Sequence, residues 1–151
     1  MPEPKKSPLA ALRRSFGPRS PPAPSVTEVM TANPRTIHPD DSVLAAIELM
    51  DRGGFRHLPV LEDGKLMGMV SSRDALPWSL GLKDTDCKVR VMMTPYLVTA
   101  SRDMPLIVLV KKMLAYRVGA LPVLDGDELV GLVTCVDMLH HLQQLLEATA
   151  E

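Results

Sequence analysis

Apolar residues come in two textures along this chain. Leu58-Pro59-Val60-Leu61 and Leu66-Met67-Gly68-Met69-Val70 are short and nearly continuous, as strands buried in a core are. Asp63-Gly64 between them predicts a hairpin, because both residues tolerate the positive φ that tight turns need. Elsewhere apolar residues recur at helical spacing. Val43, Ala46, Ile47 and Met50 share one helix face behind the capping run His38-Pro39-Asp40-Asp41-Ser42, and Gly53-Gly54 ends that helix. Leu106, Leu109, Val110 and Met113 repeat the pattern behind Asp103 and Pro105. A final helix runs from Cys135 through Leu139, Leu142, Leu145 and Leu146.

The two halves are copies in one register. Val26, Met30, Thr31, Thr36, Asp40, Met50, Leu58, Pro59, Val60, Leu61, Leu66, Gly68, Val70, Asp74 and Leu76 each meet an identical residue sixty-three positions on. Repetition of that length sets the architecture: a supersecondary unit, β-α-β-β-α, occurs twice, and one face of each sheet needs cover from the other copy. The expected fold class is α/β (α+β), with a tail at 1–25, the first copy at 26–78, a linker at 79–88 and the second copy at 89–148. Very short strands are expected at Thr36-Ile37 and Val98-Thr99, and a short helix through Ala75 and Leu76 that Pro77 disturbs.

Composition narrows the function classes. The chain has 151 residues and a net charge of −1, so no general drive toward nucleic acid or an anionic membrane surface exists. Aromatics are only 3%, so Val, Leu, Ile, Met and Ala must build the core. Cys87 and Cys135 match no metal-ligand spacing and suggest reduced thiols in a cytoplasmic protein. No apolar run is long enough to span a bilayer. Residues 1–25 hold seven of the fourteen prolines and five Lys or Arg against one acid, Glu3, the composition of a disordered basic tail. Arg13-Arg14 lacks the apolar stretch that an export signal would need after it.

Candidate chemistry lies where each second strand ends. Ser71…Asp74 and Thr134…Asp137 are S/T-x-x-D patterns with two readings. As a capping box, hydroxyl and acid satisfy free N–H groups at a helix start. As a ligand site, the helix N-terminus faces a phosphate while the carboxylate accepts the hydroxyls of a ribose.

This ordered set, found twice, resembles a cystathionine-β-synthase (CBS) domain pair, or Bateman module. Met30-Thr31, Thr36-Ile37-His38-Pro39-Asp40, Arg56-His57-Leu58-Pro59-Val60 and Gly68-Met69-Val70-Ser71 carry the resemblance in the first copy. Tyr116 to Val123 and Gly131-Leu132-Val133-Thr134 carry it in the second. The resemblance covers residues 26 to about 146. It implies a pseudo-twofold pair with two clefts between the copies, and pairs that dimerise into a flat disc. It also implies adenosyl ligands: AMP, ADP, ATP or S-adenosylmethionine, sometimes NAD. On that basis Asp74 and Asp137 hold ribose, Ser71 and Thr134 touch phosphate, and backbone around Thr36, Ile37 and Thr99, with Pro59 and Pro122, lines the adenine, while the bare Gly119-Ala120 leaves room for the ligand. The family also includes modules without ligand, so a structural dimerisation module stands as the alternative.

No Ser-His-Asp order, phosphate-cradling glycine loop or metal spacing supports an enzyme, and no cofactor or metal is expected. His140 and His141 point to different sides of one helix. Trp78 reads as a packing anchor at the junction of the copies. The copies differ in charge: Arg35, His38, Arg52, Arg56, His57 and Arg73 align with Val98, Ser101, Ala115, Gly119, Ala120 and Val136. Arg73, in the expected first turn of a helix, has a reason to be there if an anion sits before that helix. Arg56, His57 and Arg73 are thus expected on a ligand's phosphates.

Overall fold

The computed structural model describes residues 22–95 and 97–150; of the expected tail, residues 1–21 lie outside the described residues. Six strands form: β1 (Thr31–Ala32), β2 (His57–Glu62), β3 (Lys65–Ser71), β4 (Ala100–Ser101), β5 (Ala120–Asp125) and β6 (Glu128–Thr134). A 3-10 turn (Val26–Glu28) and five α-helices accompany them: α1 (Val43–Gly53), α2 (Leu76–Ser79), α3 (Val89–Met92), α4 (Leu106–Tyr116) and α5 (Cys135–Thr149).

Local chemistry explains the helix ends. Ser42 Oγ accepts the Ala45 N–H at 3.1 Å and starts α1, and Gly54, at φ 67°, closes it. At the matching end of α4, Arg117 takes the left-handed conformation at φ 53° without being glycine. Pro77 stands in the first turn of α2, where its missing N–H is no loss, so it opens that helix rather than disturbing it. The β2–β3 turn is Asp63-Gly64, both with positive φ (51° and 76°). In the second hairpin the turn falls at the same register position, at Gly126 and Asp127, with the glycine now first and at φ 60°.

The sheets show how the copies are joined. One is four-stranded, ordered β1-β6-β5-β4, and the other is the pair β2-β3. β1 belongs by sequence to the first copy yet pairs with β6 of the second, Thr31 opposite Leu132. In return Thr94 bridges Met69 of β3. The short parallel contact of each copy is Ile37 opposite Val60, and Ala100 opposite Val123. The second of these strands thus forms at Ala100–Ser101, just past Val98-Thr99, because the buried Ala100 is the residue that fits against Val123.

The opening segment of each copy, its leader, is therefore exchanged with the other's, and the backbone bonds of the two leaders match. Val26 N–H donates to Met104 O at 2.9 Å, and Leu106 N–H donates to Pro24 O at 3.0 Å. Sixty-three residues on, Val89 N–H donates to Asp41 O and Val43 N–H to Cys87 O, both at 2.8 Å. Arg90 adds an ion pair to Asp40 at 3.2 Å, and its hydrogen bond holds the Asp40 carboxyl below its ordinary value. One core gathers Ile37, Val43, Leu58, Val60, Val70, Trp78 and the visiting Val89. The other gathers Leu106, Leu109, Leu121, Val123, Val133 and the visiting Val26. Trp78 is anchored in the first core, and its Nε1–H donates to Cys87 Sγ at 3.1 Å.

The exchanged pairing leaves no room at one position in each sheet. A Cβ on Gly68 would stand 2.6 Å from Thr94 O and 3.0 Å from Met93 Sδ. A Cβ on Gly131 would meet Met30 Sδ and stand 3.1 Å from Thr31 O. Gly68→Ala is expected to destabilise the chain by about 1–3 kcal/mol, because a backbone carbonyl must shift to admit the methyl group. Urea denaturation measures this as a lower midpoint; an unchanged midpoint would refute the close approach.

Candidate functional site

Two clefts lie along the seam between the copies, and most of their lining residues correspond in the repeat register: Thr31, Arg35, Phe55, Leu132, Thr134 and Asp137 of one match Thr94, Val98, Val118, Met69, Ser71 and Asp74 of the other. The larger, about 690 Å³, lies between Thr31, Asn33, Arg35, Phe55, Arg56 and His57 of the first copy and Leu132, Thr134, Cys135, Val136 and Asp137 of the second. The smaller, about 340 Å³, lies between Met69, Ser71 and Asp74 of the first copy and Thr94, Val98, Arg117, Val118 and Ala120 of the second. His57 and Gly119 line both. The leader exchange produces this layout, since Thr31 and Thr94 each pair with the other copy's sheet, while Arg35 and Val98 stand where the chain has returned toward its own.

The two S/T-x-x-D patterns have folded differently. Asp137 N–H donates to Thr134 Oγ1 at 3.2 Å, while Asp137 Oδ2 accepts from Thr134 N–H at 2.8 Å and from the Thr134 hydroxyl at 3.0 Å. That is a complete capping box on the fifteen-residue α5. In the first copy Asp74 N–H donates to Ser71 Oγ at 3.0 Å, but the Asp74 carboxylate takes no partner among the described residues. Residues 72–75 form a turn, and the helix begins only at Leu76.

Of the residues singled out from sequence, Arg56, His57, Thr134 and Asp137 meet in the larger cleft, and His57, Ser71, Asp74 and Ala120 in the smaller. Pro59 and Pro122 are buried in mid-strand, opposite the lining residues Met69 and Leu132, and are themselves outside both linings. Ile37 is in the core, 6% exposed. Thr36 is exposed in the loop before it, outside both linings. Thr99 accepts a hydrogen bond from Lys112 through its carbonyl and lines a separate surface hollow with Lys65 and Asp127. Arg73 lies in the 72–75 turn, so the helix first turn that gave it an electrostatic reason is not there, and it lines neither cleft. Arg117 and Cys135, which line the clefts, carry no such signal in the sequence: Arg117 aligns with the helix-ending Gly54, and Cys135 follows the S/T of its motif.

His140 is exposed and His141 half-buried, with its Nε2 buried and unpartnered. His38, Asp40 and Glu62 bring possible ligand atoms within 4.8 Å of one another. Arg90 already sits on Asp40 and Glu62, at 3.2 and 3.7 Å, so cations neutralise that cluster. No described helix is long and apolar enough to cross a membrane.

His57 has an altered acidity. Burial pushes its pKa below the ordinary 6.5, Arg56 pushes the same way, and the Asp74 charge opposes both. The native state therefore binds this proton less readily than the unfolded chain. Stability from this group is fully present above about pH 6.5 and is lost as pH falls below it, toward the depressed native value. Thermal unfolding between pH 7.5 and 5 should show this loss, and His57→Gln should flatten it. An equal slope in wild type and variant would assign the dependence to other groups.

The comparisons with known proteins agree with this geometry. The family model described as CBS domain matches residues 26–81 and 88–144. The CBS domain-containing protein YhcV of Bacillus subtilis is 31% identical over 115 residues, 76% of this chain and 82% of that protein. Inosine-5'-monophosphate dehydrogenase of Methanocaldococcus jannaschii is 33% identical over 114 residues; this chain spans only 22% of its length. The solved CBS domain pair of MJ0100, in complex with 5'-methylthioadenosine and S-adenosyl-L-methionine, superposes with a TM-score of 0.73 at 27% identity, covering 82% of this chain and 98% of that one. CBSX2 in complex with AMP gives 0.71 at 27% identity, covering 80% and 97%. The chain belongs to the CBS domain family and carries two copies of the domain.

Proposed function

We infer that this chain is a regulatory, non-catalytic module that binds adenosyl ligands in its two clefts and transmits their presence through the arrangement of a homodimer. The observation that carries the reading is the position of Asp74 and Asp137: one carboxylate stands in each cleft, beside a hydroxyl residue that ends a strand. A carboxylate accepts the two hydroxyls of a ribose, and an amide does so less well. The solved relatives with 5'-methylthioadenosine, S-adenosyl-L-methionine and AMP support adenosyl compounds as the ligand class. A role in sensing cellular energy through AMP, ADP or ATP, a regulated partner protein and a cytoplasmic setting belong to the same reading.

A second reading, a dimerisation module without ligand, is favoured by α5. None of its residues is buried, and Leu139, Leu142, Leu145 and Leu146 are 48–63% exposed. The helix face with the groove formed by Leu139, Leu142 and Leu146 is an apolar surface suited to a second copy of the chain.

Ligand binding separates these readings, and the oligomeric state tests the dimer that both require. Adenosyl ligands are expected to raise the thermal midpoint and to bind in calorimetry with micromolar to millimolar affinity. Asp74→Asn should weaken binding in its cleft about tenfold, since its acid has no competing partner. Silence from all adenosyl ligands at millimolar concentration would leave the dimerisation module. Light scattering should give twice the 16.5 kDa chain mass at micromolar protein, and a monomer would oppose the homodimer in both readings.

A further inference from the structure

We propose that the two clefts take different ligands: the larger a phosphorylated adenine nucleotide, with Arg35 and Arg56 on its phosphates, and the smaller an adenosyl compound without phosphate. The inference rests on the adenosyl reading and deepens it.

Size, charge and backbone all differ in the same direction. The larger cleft, at about 690 Å³, is roughly twice the smaller at about 340 Å³. The smaller stands near the low end of the range for small-molecule sites, about 300–1,000 Å³. The larger cleft brings two guanidinium groups, Arg35 and Arg56, against one carboxylate, Asp137. The smaller brings one, Arg117, against Asp74. Setting aside the shared His57, the larger cleft has a formal charge of about +1 and the smaller about zero.

The acids differ as well. Asp137 Oδ2 is occupied by its capping box, so less of its charge is presented to a ligand, and the cleft receives the positive end of the fifteen-residue α5. The Asp74 carboxylate takes no hydrogen-bond partner among the described residues, and the helix that follows it, α2, has only four residues. A phosphate chain in the smaller cleft would meet that carboxylate with only one guanidinium, Arg117, to offset both; an uncharged or cationic tail would meet no such repulsion. His57, in the common wall, reinforces the sorting, because an anion beside Arg56 would favour its protonated form.

The test is calorimetric titration of the full chain with ATP, adenosine and S-adenosylmethionine, each alone and with another already bound. ATP and S-adenosylmethionine should bind together without displacing one another. The double variant Arg35→Ala, Arg56→Ala should lose ATP affinity about tenfold to a hundredfold and keep S-adenosylmethionine within about twofold. Asp74→Asn should do the reverse. Added salt should weaken ATP and leave adenosine unchanged. Both arginines are exposed, and an unchanged thermal midpoint confirms that the double variant folds. Mutual displacement of ATP and S-adenosylmethionine in the wild type, or equal weakening of both by the double variant, would overturn the inference while leaving adenosyl binding intact. If no adenosyl compound binds the wild type, the adenosyl reading falls and the inference with it.

Discussion

Everything in this fold depends on the exchange of leader segments between the two copies. Val26 and Val89 are each 0% exposed, and each lies in the core of the copy it does not belong to by sequence. Burying a valine side chain stabilises by about 1.5–3 kcal/mol, and its N–H must find a partner once water is gone. Met104 O and Asp41 O are those partners. The two cores are therefore closed reciprocally, and neither copy is complete alone. The clefts are a by-product of this closure, since the strands of chain that return from each exchange form their walls.

Local features were legible in the sequence, and non-local ones were not. Ser42, Gly54 and the Asp63-Gly64 turn act within a few residues, and the structure uses them as the pattern implies. The repeat register showed that two equivalent units exist, but it is silent on whether a leader covers its own sheet or its neighbour's, because both choices preserve the register. The grouping of Arg56 and His57 with Thr134 and Asp137 follows from that choice and is visible only in three dimensions. Arg73 stands outside both cleft linings for a related reason: the matched motif implies a matched helix, and the chain after Ser71 turns instead.

One short pattern has thus settled into two states. After Thr134 the chain continues into a long helix whose free N–H groups draw the hydroxyl and the acid into a closed box. After Ser71 the turn needs only the hydroxyl, and the carboxylate is left to face the cleft. Identical aspartates in a duplicated framework are consequently different chemical groups. The asymmetry comes from the segments that follow the motif, together with the arginines that only one copy carries.

The linking segment between the copies has a kinetic consequence. In two separate single-repeat chains, trading leaders would be a bimolecular event that weakens on dilution. Here residues 80–88 tether each leader to its acceptor, and a short tether holds the local concentration of one near the other at about the millimolar level. The trade is then complete at any protein concentration. The same complementarity would let leaders pass between neighbouring molecules whenever that short tether is strained, so its length decides whether the molecule closes on itself or entangles with its neighbours.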